Sequence, residues 1–259
     1  MEFRPCIDIH NGRVKQIVGG SLSDDGDFAK ENFVSEMEAR DYAVLYRERG
    51  LAGGHIILLN AADSPYYEED LRQAKKALEA WPDALQIGGG VTAENAARFL
   101  DMGAGHVIVT SYVFSGGEIH FGRLEKLRAE VGKERLVLDV SCRILDGRYY
   151  IVTDRWQKFT KQALDARLIR ELSGFCDEFL VHAVNVEGTA GGVDETLLQI
   201  LSGDCPVPIT YAGGIGTWED IQKIRDIGGG RINFTVGSAL DLFGGTLSFE
   251  KICQNVTFC

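Results

Sequence analysis

Eight apolar, strand-like runs separated by helix-patterned segments within 259 residues predict a (β/α)8 TIM barrel. Two further observations support that class. The runs are continuously apolar rather than alternating, as expected of parallel strands covered by helices. Three features also recur at one offset of about half the chain: an aspartate at a strand end (Asp8, Asp139), a glycine turn (Gly88-Gly89-Gly90, Ala212-Gly213-Gly214) and a Val-x-Ser motif (Val109-Thr110-Ser111, Val236-Gly237-Ser238). The repeat predicts a single domain built from two half-barrels, about 1–130 and about 131–259. A doubly wound open sheet is the competing class, but no GxGxxG follows the first strand.

In chain order, Phe3 to Ile9 is the first predicted strand, with Asp8 near its end. His10 to Asp27 is polar and carries Gly19-Gly20, and it reads as a long loop. Phe28 to Gly50 bears Phe33, Met37, Tyr42, Leu45 and Tyr46 at near-helical spacing, with Gly50 as the stop. His55 to Asn60 is the second strand, and Tyr67 to Trp81 is a helix closed by Pro82. Ala84 to Gly90 is the third strand, running into its glycines. Thr92 is expected to cap a helix from Ala93 to Met102, with Glu94 in the first turn, and Gly105 to Thr110 is the fourth strand.

The second half repeats the pattern. Gly122 to Val131 is helical and Arg135 to Val140 is the fifth strand. Asp146-Gly147, between extended flanks, signals a small hairpin within Ile144 to Thr153. Ala163 to Leu172 is a helix, Glu178 to Val184 the sixth strand, and Asp194 to Leu201 a helix. Pro206 to Tyr211 is the seventh strand, Thr217 caps a helix from Trp218 to Ile227, Arg231 to Val236 is the eighth strand, and a helical piece starts at Phe249.

Twenty-seven basic against 38 acidic residues give a net charge of −11, which argues against nucleic acid or an anionic membrane as partner. A small anionic ligand stays compatible, because backbone N–H groups hold phosphate without side-chain cations. Six cysteines show no CxxC pair and no metal-ligand spacing, so reduced thiols in a cytoplasmic protein, with no metal, are expected. No apolar run approaches the length of a membrane span, and the start lacks a signal-peptide pattern. A monomer is expected.

An aspartate at the carboxyl end of a buried strand is costly, and that rim is where barrels place their chemistry. Asp8 and Asp139 are therefore candidates for a base and an acid facing each other across one mouth; capping or salt-bridging is the alternative. Gly89, Gly90, Thr110 and Ser111 in the first half, with Gly213, Gly214, Gly237 and Ser238 in the second, predict two phosphate sites at opposite rims. Glycines that merely make tight turns are the alternative. His182 ends the sixth strand and is a candidate third active-site group. Trp156 is either a lid residue for a heterocycle or a loop anchor, and Arg143 and Arg155 flank it. His10, His55, His106 and His120 read as structural.

Five segments together resemble one family: Arg4-Pro-Cys-Ile-Asp8-Ile-His-Asn-Gly-Arg-Val-Lys-Gln-Ile-Val-Gly-Gly20, Leu138-Asp139-Val-Ser-Cys-Arg143, His182-Ala-Val-Asn-Val-Glu-Gly188, Tyr211-Ala-Gly-Gly214, and Val236-Gly-Ser-Ala-Leu-Asp-Leu-Phe-Gly-Gly245. The family is the histidine-biosynthesis isomerases acting on N-(5-phosphoribosylformimino)-5-aminoimidazole-4-carboxamide ribonucleotide (ProFAR), and the likeness is closer to their fungal and plant type. The resemblance implies a cofactor-free Amadori rearrangement of an aminoaldose to an aminoketose on a bisphosphate. It implies Asp8 as the base at ribose C2 and Asp139 as the acid that opens the furanose to a Schiff base. It adds Gly20 and Gly188 to the phosphate set and Arg143, Trp156 and Asn185 to the substrate contacts. Bacterial members carry a threonine at the end of strand six; here Leu180-Val-His182-Ala-Val-Asn185 stands there, so His182, then Asn185, is expected in its place. The sister cyclase of the same pathway and a non-catalytic sugar-phosphate-binding barrel are the alternatives.

Overall fold

The computed structural model describes residues 1–17, 31–153, 156, 158–187 and 191–256. β1 (Cys6–His10) turns back through Asn11 and Gly12, both left-handed at φ 51° and 73°, into antiparallel β2 (Arg13–Ile17). β3 (Glu31–Val34) pairs antiparallel with β2. The loop expected from His10 thus holds a hairpin, and Phe33 lies on a strand rather than a helix. Asn-Gly is the pair that a type I′ hairpin turn selects, which is why the chain reverses there. α1 (Ala39–Glu48) starts much later than Phe28, where Asp41 Oδ2 accepts the Glu38 N–H at 3.0 Å.

β4 (Gly54–Leu58), α2 (Tyr67–Ala80), β5 (Leu85–Gly88), α3 (Ala96–Asp101) and β6 (His106–Val109) follow the expected order. The regular helix begins at Ala96 rather than Ala93, but Thr92 heads the turn leading into it, its Oγ1 accepting the Glu94 N–H at 3.3 Å and its carbonyl the Ala96 N–H at 3.0 Å. The Thr92 N–H donates to Asn95 Oδ1 at 2.8 Å while Asn95 Nδ2 donates to the Gly90 carbonyl at 2.9 Å, a turn that ties the helix start to the glycines. β7 (Phe114–Ser115) and β8 (Glu118–Ile119) form a short hairpin before α4 (Phe121–Val131).

β9 (Leu136–Leu145) runs on past the rim and reverses at Asp146 and Gly147 (φ 48° and 74°) into β10 (Arg148–Thr153), which pairs with β11 (Lys158–Ala163). Ala163 therefore ends a strand, and α5 (Ala166–Leu172) begins after its Asp165 cap. β12 (Glu178–Ala183), α6 (Glu195–Leu201), β13 (Ile209–Ala212), α7 (Trp218–Ile227), β14 (Ile232–Phe234) and α8 (Phe249–Val256) complete the chain. Thr217 caps α7 as expected, with Asp220 closing the reciprocal bond.

The parallel strands run in the order β1-β4-β5-β6-β9-β12-β13-β14. A parallel bridge between Phe3 and Phe234 closes the ring, with Arg4 N–H on the Phe234 carbonyl at 2.8 Å and Phe234 N–H on the Glu2 carbonyl at 3.0 Å. This is a (β/α)8 barrel.

Period-two alternation sends Glu178, Leu180 and His182 of β12 to the barrel interior, each at a different depth. Glu178 lies in a polar layer, accepting from Gln86 Nε2 (2.7 Å) and Thr210 Oγ1 (2.5 Å). Leu180 packs with Ile57, Ile108, Val137 and Ala212 as a dry plug. His182 is in the layer above the plug, at the carboxyl ends of the strands, where Asp8 and Asp139 also stand.

Candidate active site

Asp8, two residues before the end of β1, is half-buried by surface area but sits deep within the barrel mouth. Loss of hydration there raises its pKa from 3.8 to about 7. Gln16 Nε2 on β2, donating to Asp8 Oδ2 at 3.0 Å, and the positive His182 pull it back down, while Glu187 pushes it up. A carboxylate poised near neutrality is suited to removing a carbon-bound proton.

Asp139, on β9, is 9% exposed and accepts on both oxygens: His182 Nδ1 lies 2.8 Å from Oδ1, and Thr110 Oγ1 donates to Oδ2 at 3.2 Å. Thr110 thus spends its hydroxyl on the carboxylate rather than leaving it for phosphate. Burial works against a charge on His182, but Asp139 outweighs it through both its charge and its hydrogen bond. Glu187 and Asp8 add to this, and the imidazole is raised to about 9. The sequence-predicted trio therefore converges, with Asp139 and His182 as a bonded pair.

The two glycine turns adopt matching backbone forms. Gly89 and Gly90 have φ of 106° and 70°, and Gly213 and Gly214 have 119° and 72°. A side chain at Gly89 would collide with the Leu58 carbonyl, and one at Gly214 with the Gly192 carbonyl. L-residues with a Cβ rarely adopt such φ values, so the turns need glycine on both counts. Ser111 is exposed two residues past the end of β6, and Ser238 is partly exposed four residues past the end of β14. Gly20 and Gly188 lie outside the described residues, as does Arg155.

The chain matches the histidine biosynthesis protein family over residues 2–247. It is 49% identical over 97% of its length to the chloroplastic 1-(5-phosphoribosyl)-5-((5-phosphoribosylamino)methylideneamino)imidazole-4-carboxamide isomerase of Medicago truncatula, covering 80% of that protein. Isomerases of the same name from Neurospora crassa (42% identical, 94% of this chain, 93% of that one) and Saccharomyces cerevisiae (41%, 98% and 97%) are also similar. The chain belongs to the histidine biosynthesis protein family.

Within that family barrel, the β9–β10–β11 extension rises beside the mouth. Arg143 Nη1 donates to the Trp156 carbonyl at 3.2 Å and its guanidinium lies 5.4 Å from the Phe159 ring centre, while Trp156 sits at φ 67°. Asn185 Oδ1 accepts the Ile144 N–H at 3.0 Å, so it anchors the hairpin to the loop after β12 rather than standing free. Three of the histidines read as structural have the surroundings of that role: burial lowers His55 to about 3, His106 pairs with Asp177 at 3.1 Å, and His120 lies 3.2 Å from the Ser115 carbonyl.

Two residues at the mouth were not singled out by the sequence. Glu187 lies in one of the segments carrying the family likeness, yet nothing in its spacing marks it. Burial raises its pKa, and its Oε2 is buried with no hydrogen-bond partner among the described residues. Gln16 is hidden in a stretch that reads as loop. The Asn11-Gly12 turn was the available signal, since a hairpin there returns β2 alongside β1 and brings Gln16 to Asp8.

No helix among the described residues is long and apolar enough to cross a membrane, and Cys6, Cys142, Cys176 and Cys205 are free thiols.

Proposed function

We propose that this chain isomerises ProFAR to its phosphoribulosyl aminoketose in histidine biosynthesis, by a cofactor-free Amadori rearrangement. The observation that carries the reading is the placement of Asp8 opposite the bonded Asp139–His182 pair at one barrel mouth. The chain's family supplies the reaction, since the relatives named above are isomerases whose names carry two 5-phosphoribosyl groups. Asp8 takes the proton from ribose C2, and the Asp139–His182 pair supplies one to the furanose oxygen. The Gly89-Gly90 and Gly213-Gly214 turns, with Ser111, Gly237 and Ser238, hold the two phosphates through backbone N–H and hydroxyl donors. Fixing both substrate ends orients C1 and C2 between the two proton-transfer groups, so that modest carboxylates suffice. Trp156 and Arg143 cover the heterocycle from the hairpin side. A cytosolic location, expected from the cysteines, belongs to the proposal as well.

Supplying ProFAR alone and following the aminoketose by chromatography tests the reading, and steady turnover is expected. Turnover only of the aminoketose, and only with ammonia, would assign the chain to the sister cyclase instead.

Gln16→Leu is expected to move the acidic limb of kcat/KM upward by about one pH unit or more. A hydrogen bond to a charged group is worth about 1.5–3 kcal/mol, and one unit corresponds to about 1.4 kcal/mol. The bond favours the ionised form of Asp8, so its loss raises the pKa and delays activity to higher pH. An unmoved limb in a pH–rate profile would remove Gln16 from the site.

A further inference from the structure

We propose that the proton reaching the furanose oxygen departs from His182 Nε2, with Asp139 acting only as the positioning carboxylate; this rests on the isomerase reading above. The resemblance assigns that proton to Asp139, but the hydrogen-bond pattern places it elsewhere. Both Asp139 oxygens are engaged within the protein, Oδ2 accepting from Thr110 Oγ1 and Oδ1 lying 2.8 Å from His182 Nδ1, so neither is left for the substrate. His182 commits Nδ1–H to Asp139, and its Nε2 makes no hydrogen bond to a described residue. An imidazolium held this way keeps its second N–H free for a substrate atom, in the orientation its carboxylate partner fixes.

The charged surroundings agree from every side. Asp139 on β9 bonds the ring, Asp8 on β1 and Glu187 in the loop after β12 add negative potential, and His55 on β4 is held neutral by burial. Three carboxyl groups around one imidazole favour its cationic form, and the ring carries the one positive charge of the trio.

The step balances without a co-reactant. The C1–O bond breaks towards oxygen, which takes the Nε2 proton, while the lone pair of the glycosidic nitrogen forms C1=N. Asp8 then takes the C2 proton, the C2–H electrons form C1=C2, and the C=N electrons return to nitrogen. Ketonisation sends the proton of the C2 hydroxyl to neutral His182 and the proton on Asp8 to C1. Both groups are restored.

The test is the pH dependence of kcat and kcat/KM on ProFAR for wild type, His182→Gln and Glu187→Gln, beside a nitrogen-15 titration of the histidines in the wild-type protein. The wild type should show a bell with limbs near 7 and 9, from Asp8 and His182. His182→Gln should lose the alkaline limb and at least about a hundredfold in kcat, the usual worth of a general acid. Glu187→Gln should keep that limb, displaced to lower pH, since Glu187 helps to hold the His182 proton. The inference is overturned by an alkaline limb that persists in place in His182→Gln, or by one that vanishes in Glu187→Gln. A wild-type His182 that titrates below pH 7 overturns it too, and that measurement stands even where a variant does not fold. Wild-type protein that leaves ProFAR unchanged sinks the isomerase reading, and this inference with it; turnover with an unaltered His182→Gln profile sinks the inference alone.

Discussion

Asp8→Asn is expected to reduce ProFAR turnover by at least about a thousandfold while making the protein more heat-stable above neutral pH. The loss follows from removing the base at C2, a group for which positioned proton transfer supplies about 10²–10⁴ in rate. The gain follows from burial. In the folded chain Asp8 titrates near 7 instead of its ordinary 3.8, so the folded state holds that proton more tightly than the unfolded one. Its contribution is fully present below pH 3.8, declines as pH rises through the window, and is gone above about 7. At about 1.4 kcal/mol per unit, the ionised carboxylate costs up to about 4 kcal/mol at pH 8, and an amide removes that cost. The amide oxygen can still accept from Gln16. Melting curves of both proteins at pH 4 and pH 8 decide the matter: equal Tm at the lower pH and a higher Tm for the variant at the upper one are expected. A Tm difference independent of pH would mean that Asp8 is not a desolvated carboxylate.

Asp139→Asn carries the second large effect. Asp139 is the chief group holding the His182 proton, through both its charge and its 2.8 Å hydrogen bond. Without it the imidazole remains in a buried setting that disfavours charge, so it is expected to titrate lower and to be neutral under ordinary assay conditions. Turnover should fall by about 10²–10⁴ at neutral pH, with the alkaline limb shifted to lower pH. Activity should therefore recover in part on acidification, until Asp8 is protonated. A uniform loss across all pH values would mean that Asp139 acts directly on the substrate rather than through His182.

Much of the site is legible in the sequence. Asp8, Asp139 and His182 each follow an apolar run, and such runs in a parallel barrel deliver their last residues to a single rim. The glycine turns were equally plain, and their matching left-handed backbones explain why both positions need glycine. The Asp146-Gly147 and Thr217 signals also led to the right elements, because a left-handed turn and a helix cap depend on neighbours only a few residues away. Asn11-Gly12 is the same kind of signal, masked in the sequence by the polar residues around it. Thr92 is a local signal too: its Oγ1 accepts the Glu94 N–H, while Asn95 ties the same turn to Gly90 and the regular helix starts only at Ala96.

What the sequence determined by itself is the order of the eight barrel strands and the helices between them, the rim on which Asp8, Asp139 and His182 emerge, and the glycine turns beside them. These depend on hydrophobic period and on local backbone geometry. The tertiary structure alone decided the partners: Gln16 on Asp8, Thr110 and His182 on Asp139, Asn185 on the hairpin, and Glu187 buried beside them. Pairing of β9 with β12 brings His182 to 2.8 Å from Asp139, the β1–β2 hairpin brings Gln16 to Asp8, and the closed barrel buries them. Enclosure raises the pKa of Asp8, while the Asp139 carboxylate raises that of His182 against the pull of burial.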